Sequence, residues 1–195
     1  MTPSHIPSSG AENLTGRMLI AMPGMGDPRF EKSVVLMCDH SDEGAMGLIV
    51  NKPNTEIDLP ALLEQLSIEI KRDLSNEMAY YGGPVELGRG FVLHSPDYAS
   101  AVATLEVQED IHMTGTLDVL EDIGRGEGPR RWLLMLGYAG WGAGQLEGEI
   151  AQNGWLVCDA SARLVFDLPD AEKWQAALES IGVAALVLSS EGGRA

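Results

Sequence analysis

Three observations predict an α+β fold. Apolar runs of strand length dominate the first fifty residues, isolated helical stripes fall among further strands, and the alternation never settles into a regular βαβ period. Met18 to Met22, Ser33 to Asp39 and Ala45 to Asn51 are the first strands. The Pro/Gly turn Met22-Pro23-Gly24-Met25-Gly26-Asp27-Pro28 separates the first from the second. Asp58 to Leu66 predicts a helix, with Asp58 as N-cap, Pro60 in the first turn, and Leu59, Leu62, Leu63 and Leu66 on one stripe. Ala79 to Tyr81 and Phe91 to His94 read as short strands around the turn Gly82-Gly83-Pro84. Leu105, Val107 and Ile111 predict one strand between Thr104 and His112, after which Thr116 caps a short helix ending at Ile123. The continuous apolar run Trp132 to Leu136 suits a central strand covered on both faces. A glycine-rich turn, Gly137 to Gly144, then leads into a helix over Gly144 to Gln152 that turns Leu146 and Ile150 inward. Trp155 to Asp159 and Arg163 to Phe166 predict a hairpin around Ala160-Ser161-Ala162. The last helix, Asp170 to Ile181, carries Trp174, Ala177, Leu178 and Ile181 at helical spacing.

With 195 residues, 45% of them hydrophobic, the chain can bury a sizeable core, and no linker or repeat divides it. One domain over residues 14–190 is expected, between polar, flexible tails at 1–13 and 191–195. No apolar stretch approaches the roughly 18–20 residues that span a bilayer, and no charged segment precedes an apolar one at the N-terminus. A cytoplasmic protein is expected. Cys38 and Cys158 are too few and too far apart for a disulfide framework and are expected as buried thiols.

Charge constrains the partners. Against 29 acids stand 13 lysines and arginines, a net charge of −16, whereas nucleic-acid binding needs cations that displace counterions from phosphates. The nearest clusters are Lys71-Arg72 and Arg125 to Arg131, the latter broken by glycines, a proline and Glu127, which reads as a solvated loop. Direct DNA binding is disfavoured, and a protein partner of unknown identity is expected instead.

The chemical motifs are weak. Gly137 to Gly144 matches neither the dinucleotide fingerprint nor the P-loop, and Glu147 and Glu149 at the following helix start would repel an anion. Close packing of Tyr138 and Trp141 is the plainer use of these glycines. Met22, Pro23 and Met25 could form an adaptable apolar lip or simply pack into the core. Cys38 and His40 lie two apart on a strand and so share a face. With Cys158 or His94 they suggest either a zinc site or a thiol beside its base, although residues at that spacing stand roughly 6.5 Å apart. His94 otherwise ends a strand in a hydrogen-bonded turn. Two acidic groups, Glu106, Glu109 and Asp110, and Asp118, Glu121 and Asp122, suit a solvated face better than acid–base work. Neither Gly-x-Ser-x-Gly nor His-Glu-x-x-His occurs. No catalytic residue, metal ligand or cofactor is assigned.

Four blocks carry a family resemblance: LTGRMLIAMPGMGDPRFEKSVVLMCDHSDEGAMGLIVNKP from Leu14, YYGGPV from Tyr80, GFVLHS from Gly90 and GYAGWGAGQLEGEI from Gly137. Together they closely resemble the AlgH/YqgE family of bacterial proteins over Leu14 to Phe166. The resemblance implies a compact α+β domain on a coiled, mixed sheet, in a cytosolic protein of a type described as a regulator of transcription or left uncharacterised. It implies no role for particular residues. Three functions follow as expectations. The leading one is a regulatory interaction module acting through a protein partner. The second is a small-ligand binder with a pocket of turn residues, and the third an enzyme built around Cys38, His40 and His94. The candidate binding residues are Met22, Pro23, Met25, His40, Gly82, Gly83, Pro84, His94, Gly140 and Trp141.

Overall fold

The computed structural model describes residues 12–183. The expected tails before residue 12 and over 191–195, and the end of the expected domain at 190, lie outside the described residues. Nine strands form one sheet: β1 (Arg17–Ala21), β2 (Val34–Ser41), β3 (Gly44–Ile49), β4 (Ala79–Tyr81), β5 (Val85–His94), β6 (Leu105–Gln108), β7 (Ile111–Thr114), β8 (Trp132–Gly142) and β9 (Trp155–Asp159). Their order is β6-β7-β5-β8-β3-β2-β1-β9, antiparallel throughout, with β4 added parallel to β8. The sheet is therefore mixed. The helices are α1 (Leu59–Gln65), α2 (Leu117–Arg125), α3 (Gln145–Ala151) and α4 (Asp170–Ser180).

Alternation along each strand shows how the sheet curls. Val107 near one edge and Cys158 near the other join the same buried cluster as Met18, Leu36, Leu93 and Met135. Strands so far apart in the order can share one core only if the sheet rolls up around it. Trp174, Ala177 and Leu178 of α4 fill that concave side. The Trp174 indole donates to the Ala21 carbonyl at 2.9 Å, and the buried Lys173 ammonium donates to the Val50 carbonyl at 2.8 Å and pairs with Asp170.

The convex side has two covers. Leu59 and Leu63 of α1 and Val119, Leu120 and Ile123 of α2 pack on Val92, Trp132 and Leu134. Leu146 of α3, Met25 and Phe30 pack on Leu19, Val35, Met37, Trp141 and Trp155. As its sequence suggests, α1 is capped by the Asp58 carboxylate, which accepts from the Ala61 N–H at 3.3 Å. Among the described residues no helix is long and apolar enough to cross a membrane.

Four local expectations are corrected. Residues 105–114 form a hairpin of two strands rather than one strand. Arg163–Asp167 is a π-helical turn rather than the second arm of a hairpin; it turns Leu164 and Val165 together into the concave core, which a strand would send to opposite sides. Thr116 makes no backbone cap for α2, its hydroxyl being spent on Asp118.

The fourth correction matters most for the site. Gly137–Gly142 is the second half of β8, not a turn; only Ala143 and Gly144 separate strand from helix. Within β8, Trp132 and Leu134 face the convex side and Met135 the concave one, yet Tyr138 packs concave and Ala139 and Trp141 convex. The phase has slipped by one residue at Gly137, where φ is +75° and the pairing with β5 shifts register. This is a bulge that only glycine fits, since a Cβ there would stand 2.4 Å from the Gly83 carbonyl. Its effect is to aim Trp141 at α3.

Candidate functional site

Between the Pro23–Phe30 loop, the end of β8, α3 and the start of β9 lies a cleft of about 790 Å3. Of the candidate residues, Pro23, Met25, Pro84, Gly140 and Trp141 all line it. Met22 lies on the other side of the same loop, beside a hollow of about 320 Å3. Five of the ten candidate residues thus share one cleft, with Phe30, Gln145, Glu149 and Trp155 completing the walls.

The centre of the cleft is built around one carboxylate. Glu149 Oε2 accepts the indole N–H of Trp141 at 2.7 Å and that of Trp155 at 2.9 Å, while its Oε1 accepts from the Gln145 amide at 3.3 Å. The two indoles meet edge to face with centroids 6.0 Å apart, and Phe30 meets Trp155 the same way at 5.6 Å. Both tryptophans are buried by more than nine-tenths of their surface, so their N–H groups need this acceptor. On the outer rim the Arg29 guanidinium grips Asp27 with contacts from 2.7 to 3.2 Å and holds that carboxyl below its ordinary range.

Gly82 and Gly83 are buried under the site rather than exposed in it. A Cβ on Gly83 would lie 2.0 Å from the Tyr138 carbonyl carbon, and one on Gly82 2.3 Å from the Gly137 carbonyl oxygen. Their smallness lets the backbone before Pro84 lie against β8, which brings Pro84 to the cleft rim.

Cys38, His40 and His94 do not converge, so the arrangement that an enzyme built around them requires is not formed. The register between β2 and β3 shifts between Met37 and Asp39. Cys38 therefore joins the concave core, while His40 turns to the convex side, where its Nδ1 accepts the Leu14 N–H at 3.0 Å and its Nε2 meets Glu147 of α3 at 2.5 Å. The shared face expected from their spacing is undone by this bulge. Burial pushes the Cys38 thiol up to about 12, far from a reactive thiolate. His94 is fully buried at the other end of the molecule's convex face, in contact with Tyr98 and His112. Its Nδ1 donates to the Ser95 carbonyl at 2.9 Å and its Nε2 accepts from Thr114 at 2.8 Å. Both nitrogens are spent on structure, and neither His40 nor His94 lines the cleft.

In the second acidic group, two of the three carboxylates are engaged. Asp118 accepts from the Ser100 and Thr116 hydroxyls, and Asp122 from the Tyr98 phenol at 2.6 Å. Among the described residues no three His, Cys, Asp or Glu side chains gather as a metal site. In the arginine stretch, Arg125 pairs with Asp122 and Glu127, and Arg131 holds Asp167.

Glu149, Phe30 and Trp155 are the site residues that sequence reasoning missed. No local motif links them. The available signal was two tryptophans, Trp141 and Trp155, bracketing a helix with a glutamate on its inner side.

Comparison with known proteins agrees with this architecture. A family profile described as AlgH-like matches residues 18–186. A UPF0301 protein from Ruegeria pomeroyi is 55% identical over 184 residues, which is 94% of this chain and 100% of that one. The solution structure of the AlgH protein from Pseudomonas aeruginosa matches with a TM-score of 0.76 at 41% identity, over 96% of this chain and 99% of that one. A crystal structure of a protein from Corynebacterium diphtheriae shares the fold, with a TM-score of 0.68 at 21% identity over 88% of this chain and 89% of that one.

Proposed function

The chain belongs to the AlgH-like family, and we propose that it works by recognition rather than catalysis. It is a regulatory interaction module that takes a segment of a protein partner into the cleft beside Trp141. The observation that carries this reading is the Glu149 carboxylate fixing both Trp141 and Trp155, which holds an aromatic-walled cleft rigid in advance of any occupant. Rigid aromatic walls of this kind are where binding energy concentrates in protein interfaces. The net charge of −16 favours regulation through a protein over contact with DNA. Two buried free thiols suit the reducing cytoplasm as its place of action.

The volume supports a second reading. At about 790 Å3 the cleft falls in the roughly 300–1,000 Å3 range of small-molecule pockets. Affinity capture separates the two. The tagged protein and its Gln152→Arg variant, which sets a guanidinium at the cleft rim, are used as baits in nuclease-treated lysate of the protein's own organism. A stoichiometric partner retained by the first bait and lost by the second is expected. Recovery of the baits alone overturns the partner reading, and a metabolite that raises the melting temperature would then favour the second.

A further inference from the structure

One edge of β8 outruns its neighbour. The pairing with β5 ends at Val85 opposite Tyr138, while on the other side the pairing with β3 continues to Gly142. Gly83, which would stand opposite Gly140 if the β5 ladder went on, lies instead across the Tyr138 carbonyl. The bonds around β3 show which way the unpaired residues point. The Ile49 N–H donates to the carbonyl of Gly82, itself bonded to Leu136 of β8, and the Val50 N–H donates to the Val34 carbonyl of β2. Alternation therefore turns Ala45 and Gly47 towards Trp141 and Ala139, and leaves Gly140 and Gly142 pointing away from β3. The Gly142 N–H agrees, since it donates to the Gln145 side chain at 2.9 Å. Gly140 is exposed, and its N–H and C=O have no partner on that edge among the described residues.

Space lies on both faces of this edge. The convex face holds the cleft of about 790 Å3, and the concave face holds a hollow of about 650 Å3 floored by Met46, Phe91 and Tyr138. The two linings share Val85, Gly140 and Trp141, the residues at the unpaired stretch. A strand sends its side chains to alternate faces, so one laid along this edge places them in the two hollows in turn. Gly140 is in phase with Tyr138 on the concave side, and by carrying no side chain it leaves that hollow open. Exposed edges are ordinarily blunted by a lysine, a proline or a cover, whereas this one presents glycine.

We propose that an extended segment of the partner protein adds to β8 here, exchanging backbone hydrogen bonds with Gly140 and seating an apolar side chain over Met46, Phe91 and Tyr138 while its neighbours enter the cleft. Backbone bonds give such pairing its affinity, and the alternate side chains give it specificity. A second copy of the chain is the poorer occupant, because each copy carries a net charge of −16 and lines this edge with Asp39 and Glu43, and like charges oppose the approach. The proposal rests on the recognition reading above and adds the backbone chemistry by which the partner is held.

The test uses blocked peptide pools of about seven residues, an ordinary strand length, passed over the immobilised full chain. Each pool is random in Ser, Thr, Asn and Gln around a central Leu, Phe or Glu. The Leu and Phe pools are expected to be retained about tenfold over the Glu pool and over their own versions N-methylated at the central amide. With a retained peptide in excess, the Gly140 amide of the unaltered protein should exchange with deuterium about tenfold more slowly. Gly140→Pro, which deletes the donor at an edge position that tolerates proline, should abolish retention. Gly140→Ala, whose methyl comes no closer than 3.5 Å to Tyr138, should keep it. Equal retention of the methylated and unmethylated pools overturns the proposal, as does retention of neither apolar pool or unchanged exchange at Gly140 under a retained peptide. Slowing of that exchange by protein concentration alone overturns it in favour of a second copy. A partner captured through the cleft that leaves Gly140 exchange unchanged would remove this assignment and leave the recognition reading standing.

Discussion

The indole N–H of Trp141 lies 2.7 Å from the carboxylate of Glu149, which joins the end of β8 to the inner face of α3. The same oxygen serves Trp155. Removing the carboxylate therefore orphans two donors at once, and an unsatisfied buried donor costs roughly 1–3 kcal/mol. Glu149→Ala is expected to lower stability by about 2–4 kcal/mol in urea unfolding, and Glu149→Gln, which keeps an acceptor oxygen, by less than half of that.

Two glycines with nearly the same backbone separate conformational strain from collision. Gly137 and Gly144 have φ of +75° and +73°, but a Cβ meets the Gly83 carbonyl at 2.4 Å in the first case and nothing within 4 Å in the second. Gly144→Ala should cost roughly 1–2 kcal/mol, the strain of a left-handed residue alone. Gly137→Ala should cost clearly more, because the bulge that aims Trp141 cannot accommodate the methyl. Paired denaturation curves check the difference.

The ring of His40 has one possible proton placement. Its Nδ1 faces the Leu14 N–H, so that nitrogen must accept, and the proton sits on Nε2 facing Glu147. A ring that carries its proton on Nε2 and leaves Nδ1 as acceptor is expected in nitrogen-15 spectra of the imidazole. His40→Leu, which leaves the Leu14 N–H without its acceptor, should destabilise the protein by about 1–3 kcal/mol.

Acid should weaken the fold in two stages. Burial pushes the His94 imidazole below its ordinary 6.5. Burial also opposes the Asp97 carboxylate, but hydrogen bonds from the Ser95 hydroxyl and the Arg130 N–H outweigh it and hold this group below 3.8. In each case the unfolded chain binds more protons than the folded one, so stability rises with pH. The His94 contribution declines as pH falls below 6.5, and that of Asp97 below 3.8. In urea midpoints measured from neutral to acid pH, His94→Gln should flatten the first stage and Asp97→Asn the second.

Where alternation was clean, the sequence was legible: β1, β2, β3 and α1 fall within a residue or two of their expected bounds. What was hidden is hidden for physical reasons. The glycines at 137, 140 and 142 interrupt the apolar pattern of β8, and a strand built to pass closely under other backbone looks locally like a turn. The bulge at Cys38–Asp39 reverses the face of His40, and a one-residue slip of this kind leaves no mark on residue type. Leu164 and Val165 are apolar neighbours that suit a strand or a buried turn equally. The cleft itself was half visible, since its turn residues stood out and its glutamate did not.

The four tryptophans allow the central claim to be tested within one molecule. Trp141 and Trp155 wall the cleft, whereas Trp132 packs under α1 and α2 and Trp174 lies in the concave core. The partner recovered by affinity capture would be titrated into the nitrogen-15-labelled protein while the four indole N–H resonances are followed. Recognition at the cleft predicts that the Trp141 and Trp155 signals move together with the partner's saturation while those of Trp132 and Trp174 stay in place. Binding that leaves the cleft indoles unmoved, or moves Trp132 or Trp174 instead, would contradict it.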